Sequence, residues 1–209
     1  LKPKNSHFAK MLAELYARQG EFDKALALLD RAMSGRSIDP FCYKTRALIY
    51  SELKRDKEAL SDWEFFLKLH PGAKNSIPNM EEGAMIFARG GQTDRAIANY
   101  DTLMMRSPAA APMWQIKKAE CLAQAGKPKL AIDVLTAHLK KEPDDEVALL
   151  QRAKTYRKLG MNKEALKDLN TAINEMPTTS MFIERAKLHE AMGNAALAKK
   201  DRAKANSLD

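Results

Sequence analysis

The four histidines are the first residues to consider for chemistry, because imidazole acts both as a general base and as a metal ligand. They are His7, His70, His138 and His189, and no two of them share a ligand spacing such as His-Glu-x-x-His. The sequence also lacks a Gly-x-Ser-x-Gly nucleophile turn and a Gly-x-x-x-x-Gly-Lys phosphate loop. We therefore predict that the protein is not an enzyme and has no catalytic residue, no cofactor and no metal ion.

Three consecutive acidic residues, Asp144, Asp145 and Glu146, could form a cation site. They directly follow Pro143, at the predicted start of a helix. Carboxylates at that position cap free backbone N–H groups and interact favourably with the positive end of the helix dipole. We therefore interpret this run as a helix cap.

The composition is typical of a folded chain that does not cross a membrane. Of 209 residues, 45% are hydrophobic and 30% are charged, and no apolar run reaches the ~18–20 residues that span a bilayer. Most of the net charge of +8 lies in residues 106–209, so an acidic partner would be attracted mainly to that part. The sequence begins at Leu1 rather than Met, and we expect a processed or cut chain from the cytoplasm, with the periplasm as the alternative.

Alanine recurs in a pattern that repeats every 33 to 37 residues. Each of six repeats contains two alanines twelve residues apart, and in five repeats a glycine lies five residues before the second alanine. Lys54 takes the glycine position in the second repeat. The pairs are Ala13 and Ala25, Ala47 and Ala59, Ala84 and Ala96, Ala119 and Ala131, Ala153 and Ala165, and Ala186 and Ala198.

Each repeat is predicted to form two helices of about 14 residues, split by the glycine turn. In the fifth repeat Leu149, Ala153 and Tyr156 share one face of the first helix, and Ala165 and Leu169 belong to the stripe of the second. Paired alanines let the two helices approach closely, and stacking of the hairpins would bury both stripes. The longest step, between the second and third repeats, contains an enlarged linker at residues 72–78.

Six in-register copies of this pattern resemble the tetratricopeptide repeat (TPR). The resemblance implies an all-α fold, a right-handed superhelical solenoid of six helix-turn-helix repeats. We expect a single domain over residues 1–209 whose last repeat is a cap, because Lys199, Arg202 and Asn206 replace apolar residues there. The predicted repeats are approximately residues 6–39, 40–73, 77–110, 112–145, 146–178 and 179–209.

The two cysteines, Cys42 and Cys121, lie in the first helices of the second and fourth repeats. Helices packed at roughly 8–10 Å would place them on the order of 20 Å apart. A disulfide requires Cα atoms within about 7 Å of each other. We therefore expect two unpaired, buried thiols.

The resemblance further implies a non-enzymatic scaffold or adaptor, whose first helices line a concave groove that binds another protein. In repeats four to six, the strip opposite the core stripe mixes apolar and basic residues. We predict a partner-binding surface formed by Lys117, Glu120, Leu150, Gln151, Lys154, Arg157, Lys158, Ile183 and Lys187. Its like charges favour a protein or peptide of acidic and hydrophobic character.

Three other functions are alternatives to this one. Some TPR co-chaperones clamp the terminal carboxylate of heat-shock chaperones with Lys and Asn, and Glu14, Pro78 and Glu82 at the matching positions disfavour that function. A basic helical-repeat nucleic-acid binder is a second alternative, disfavoured because no aromatic and Arg stacking surface recurs. The third is the TPR regulatory segment of a larger protein. The oligomeric state is left open.

Overall fold

A computed structural model describes residues 6–35 and 38–208, and these ranges contain twelve α-helices, two short 3-10 helices and no β-strand. The all-α prediction is confirmed. The α-helices are α1 Ser6–Arg18, α2 Phe22–Met33, α3 Phe41–Glu52, α4 Asp56–Leu69, α5 Ile77–Arg89, α6 Thr93–Arg106, α7 Ala111–Gln124, α8 Pro128–Leu139, α9 Glu146–Lys158, α10 Asn162–Glu175, α11 Thr179–Ala191 and α12 Ala195–Asn206.

Consecutive helices pack in pairs, as the repeat pattern predicts. Contacts join α1 with α2, α3 with α4, α7 with α8, α9 with α10, and α11 with α12. Each first helix also contacts the hairpin before it where such contacts are described, since α3 packs on α1 and α2, α9 on α7 and α8, and α11 on α9 and α10. Each of these first helices therefore buries one side against the second helix of its own hairpin and another side against the preceding hairpin.

The twelve aligned alanines are all buried. None of them is more than 2% exposed. In the fifth repeat Ala153 and Ala165 form a cluster with Leu169, against which Tyr156 packs. A larger side chain at an alanine position would have to displace the facing helix, which explains why the small residue recurs.

The turn inside each repeat requires a left-handed backbone. Five turns place glycine there, with φ between 74° and 78°, at Gly20, Gly91, Gly126, Gly160 and Gly193. The sixth places Lys54 there, with φ of 57°. The predicted role of the glycines is thus confirmed, because only glycine adopts this region without steric strain.

The second connection, where an enlarged linker was expected at residues 72–78, contains regular structure. A 3-10 helix spans Pro71–Asn75, and α5 begins at Ile77. Pro78 lies in the first turn of α5, where the missing N–H of proline has no helical partner to lose.

The contacts divide the chain into two compact units, residues 1–99 and residues 100–209. The first unit contains α1 to α5, the second contains α7 to α12, and α6 is divided between them. That all six repeats form one domain stays a prediction. Lys199, Arg202 and Asn206 of the last helix are exposed, as expected for a polar outer face, and residue 209 lies outside the described residues.

Candidate protein-binding surfaces on the first helices

The predicted partner-binding residues lie on the first helices of repeats four to six, in the second unit. Helix α9 contacts both α7 and α11, so the three helices are neighbours. Each predicted side chain is at least partly exposed. This surface, called the basic strip below, comprises Lys117 and Glu120 on α7, Leu150, Gln151, Lys154, Arg157 and Lys158 on α9, and Ile183 and Lys187 on α11.

Two of the five cations on the basic strip are bound by one buried carboxylate. The Arg157 guanidinium donates from Nε to Glu184 Oε1 over 2.7 Å, and its Nη2 lies 2.6 Å from the same oxygen. The Lys187 ammonium lies 3.4 Å from Glu184 Oε2. Glu184 is only 5% exposed, and its ion pair with Arg157 joins α11 to α9. Because Glu184 partly neutralises Arg157 and Lys187, only part of the positive charge of these two residues is available to a partner.

The other three cations have no such neighbour. Lys117, Lys154 and Lys158 make no ion pair or hydrogen bond through their side chains within the described residues. Lys154 and Lys158 are four residues apart on α9 and therefore share one face. Half-buried Leu150 on the same helix and Ile183 on α11 supply apolar surface beside them.

An acidic cavity lies at the starts of α7 and α9. It has a volume of about 620 Å³, and its apolar wall includes Met113, Ile116 and Val147. Its acidic lining is Glu142, Asp144, Asp145 and Glu146. Acidic groups thus lie at the start of α9, and the unpaired Lys154 and Lys158 lie in its C-terminal half. The charge along α9 therefore changes from negative at its start to positive at its end.

The acidic run acts as a helix cap, as predicted. Asp145 Oδ1 accepts a hydrogen bond from the Ala148 N–H over 2.9 Å, and Oδ2 lies 2.6 Å from Nε2 of buried His138. Within the described ranges, His138, Glu142 and Asp145 form a group whose possible metal-ligand atoms lie within 4.8 Å of one another. Since both Asp145 oxygens already serve the cap and the imidazole, the geometry fits a structural network better than a cation site.

The first unit has a cavity of its own on its first helices, with a volume of about 690 Å³. Its charged residues largely neutralise one another. Lys10 lies 3.8 Å from Glu14, and Lys44 lies 2.6 Å from Glu82. The Thr45 hydroxyl also donates to Glu14 over 3.2 Å. These pairs leave no group of free cations at the positions that the co-chaperone clamp would use.

Sequence reasoning missed a recurrent ionic clamp. In the second, fifth and sixth repeats, an arginine one residue before the first alanine donates through Nε and Nη2 to a buried aspartate of the second helix. The pairs are Arg46 with Asp62, Arg152 with Asp168, and Arg185 with Asp201. The third guanidinium nitrogen reaches the preceding hairpin, at Asp30, Thr136 and Asn170. The constant separation of 16 residues was a signal that a repeat alignment could have found.

The helices within the described residues include none that is long and apolar enough to cross a bilayer.

Comparison with known proteins gives relatives that match most of this chain. DnaJ homolog subfamily C member 3 of Gallus gallus is 29% identical over 181 residues, which cover 80% of this chain. The human protein of that name is 26% identical over the same share. The chain spans 36% of the length of either relative.

Solved structures support the fold. A tetratricopeptide repeat protein from Parabacteroides merdae matches 99% of this chain and 79% of its own, with a TM-score of 0.75 and 22% identity. PilW, described as a type IV pilus biogenesis factor, matches 97% of this chain and 92% of its own, with a TM-score of 0.67 and 21% identity. Models of the tetratricopeptide repeat match residues 10–41, 82–146 and 147–179. With the alanine pairs and left-handed turns seen in the structure, these matches show that the chain belongs to the tetratricopeptide-repeat family.

Proposed function

We propose that the protein is a non-enzymatic scaffold whose basic strip binds an acidic and hydrophobic segment of a partner protein. Membership of the tetratricopeptide-repeat family supports a role in protein interaction. The observation that carries the finer proposal is the set of three unpaired lysines, Lys117, Lys154 and Lys158, beside half-buried apolar side chains. Unpaired like charges on one surface attract a segment of opposite charge.

The distribution of charge along α9 also favours one orientation of the bound segment. Its acidic residues would lie near Lys154 and Lys158, because the carboxylates at the start of α9 repel them. Its apolar residues would lie near Leu150 and Ile116, on the way to the acidic cavity. Arg157 contributes less than its charge suggests, since Glu184 already accepts its hydrogen bonds.

The test uses bead-displayed synthetic peptides that combine Glu or Asp with Leu or Phe. We expect wild-type protein to retain them, and Lys154→Glu/Lys158→Glu to weaken retention at least about tenfold with unchanged helicity, mainly by slowing association. Added salt should have a similar effect, because exposed charges are screened over about 8–10 Å near physiological ionic strength.

The matched control is Lys163→Glu/Lys167→Glu on the second helix of the same repeat. These two lysines are also exposed, also four residues apart and also without an ion pair in the described residues. This variant makes the same charge change outside the strip and should bind normally. Equal binding by both variants, or loss of binding on substitution of Leu48 and Met85 in the first unit, would place the site elsewhere.

A further inference from the structure

The acidic cavity at the starts of α7 and α9 contains more negative charge than the cap of α9 uses. Both carboxylate oxygens of Asp145 are occupied by the cap and by the imidazole of His138. Glu142, Asp144 and Glu146 line the same cavity, and their side chains make no ion pair or hydrogen bond within the described residues. None of the described residues that line the cavity is basic. Three carboxylates therefore lie together without a cation.

The remaining wall of the cavity is apolar and open to water. Met113 on α7 and Val147 on α9 are 43% and 52% exposed, and Ile116 lines the cavity with them. Apolar surface beside carboxylates suits a ligand with an aliphatic part and a cationic end. Arginine and lysine side chains have this form, since methylene groups separate their charge from the backbone. A guanidinium also donates two parallel hydrogen bonds to one carboxylate, which favours arginine over lysine.

We propose that the acidic cavity binds an arginine side chain of the same partner segment whose acidic residues bind at Lys154 and Lys158. This inference rests on the proposed function of the basic strip and adds a second requirement, namely a segment with opposite charges at its two ends. The cavity and the two lysines lie at opposite ends of α9, and half-buried Leu150 lies between them. A segment with acidic residues at both ends would be repelled at the cavity.

The length of α9 determines the spacing of these charges in the segment. A helix rises by about 1.5 Å per residue, so Lys154 and Lys158 lie about 12 and 18 Å along α9 from Glu146. An extended segment advances by about 3.3 Å per residue and covers these distances in about four to five residues. We therefore expect the arginine and the acidic residues to be about four or five positions apart, with apolar residues between them.

Three bead-displayed synthetic peptides test this spacing. The first has one arginine five positions from two adjacent glutamates, with leucines between them. The second has glutamine in place of the arginine, and the third has the composition of the first with the arginine next to the glutamates. Each is made in both chain directions. We expect wild-type protein to retain the first peptide about tenfold more strongly than the second. It should retain the third no more strongly than the second, because that arginine would lie beside Lys154 and Lys158.

The three peptides separate this inference from the proposed function. Retention of the second peptide with no gain from the spaced arginine would overturn the inference and leave the proposed function intact. Equal retention of the first and third peptides would also overturn it, since net charge alone would then explain binding. No retention of any peptide would reject both.

A variant of the protein tests the carboxylates directly. Glu142→Gln/Asp144→Asn/Glu146→Gln removes three negative charges, keeps the size of each side chain and leaves the Asp145 cap in place. We expect an unchanged circular dichroism spectrum and equal retention of the arginine and glutamine peptides. A variant that still prefers the spaced arginine would show that the arginine binds elsewhere.

The matched control is Asp133→Asn/Glu164→Gln/Glu175→Gln on the second helices α8 and α10. These carboxylates are also exposed and also without an ion pair in the described residues. The control makes the same change in net charge outside the cavity and should keep the preference for the spaced arginine. Loss of the preference in both variants would reject the cavity as its origin. Loss of the preference on addition of EDTA would assign the carboxylates to a metal ion instead.

Discussion

Lys54 shows how much one residue can depart from the repeat pattern. It adopts φ of 57° in a turn where the five other repeats have glycine. A side chain in this region crowds the following carbonyl oxygen at a cost of about 1–2 kcal/mol. We expect Lys54→Gly to raise the free energy of unfolding by about 0.5–1 kcal/mol in urea titrations, since the extra freedom of glycine in the unfolded chain offsets part of the gain.

The reverse exchange at Gly160 is the control. Its φ is 74°, and a Cβ added there would meet no heavy atom within 4 Å. Gly160→Lys therefore adds backbone strain without a packing clash and should lower the free energy of unfolding by about 1 kcal/mol. A loss of stability in Lys54→Gly would show that the lysine side chain contributes more than its backbone strain costs.

The Cys42 thiol makes a pH-dependent contribution that can be isolated. Burial raises its pKa from 9.0 to about 11, and the Asp39 carboxylate adds to the rise. The folded protein therefore holds this proton more tightly than the unfolded chain does, and the free energy of unfolding should fall as the pH rises through this interval. In Cys42→Ala the fall should be smaller by about 2 kcal/mol, measured by urea unfolding at several pH values. Parallel curves for both proteins would contradict this assignment.

At the scale of elements, the ionic clamp joins the two helices of a hairpin. Removing Arg152 alone leaves the Asp168 carboxylate buried without its partner, so Arg152→Met should cost about 3 kcal/mol of unfolding free energy. Arg152→Met/Asp168→Leu removes both charges and should cost less than the sum of the single changes. Urea titrations of the double-mutant cycle measure this coupling.

The exposed pair of Arg202 and Glu190 is the control for the clamp. Its side chains are 52% and 46% exposed, although the ionic contact is 2.8 Å. Arg202→Met should therefore cost less than about 1 kcal/mol. Similar losses at Arg202 and Arg152 would mean that burial does not set the strength of these pairs.

The helices themselves could be predicted because their signals are local and repeated. Paired alanines mark buried positions, glycines mark the turns, and the acids before α9 mark its cap at Asp145. The engagement of Arg157 and Lys187 by Glu184 could not be predicted from one repeat. It depends on how α9 and α11 pack and on which rotamers then bring the charges together.

At the scale of the whole molecule, the repeat period predicted the family and the order of the helices. It did not predict the division into two compact units, because a period describes what each repeat has in common with its neighbours. It also concealed a difference in the first repeat. A pattern shared by all repeats predicts burial at Phe8 and Leu15, and only the structure shows that these side chains are 64% and 51% exposed.

Each compact unit contains one cysteine, Cys42 in the first and Cys121 in the second, and both thiols are free and buried. A thiol reagent can reach either cysteine only when the surrounding helices open, so the labelling rate of each cysteine measures how often its unit opens.

Ala153→Leu overpacks a site of 0% exposure in the second unit at a cost of about 1–3 kcal/mol. We expect Ala153→Leu to speed the labelling of Cys121, whereas Lys154→Leu should leave the labelling rate nearly unchanged. Mass spectrometry of the labelled peptides measures both rates. An unaltered Cys121 rate in Ala153→Leu would show that the thiol is reached by some smaller motion. The response of Cys42 to the same substitution measures how far a disturbance in one unit is transmitted to the other. The native sequence thus carries a pair of internal probes for cooperativity along the repeat array.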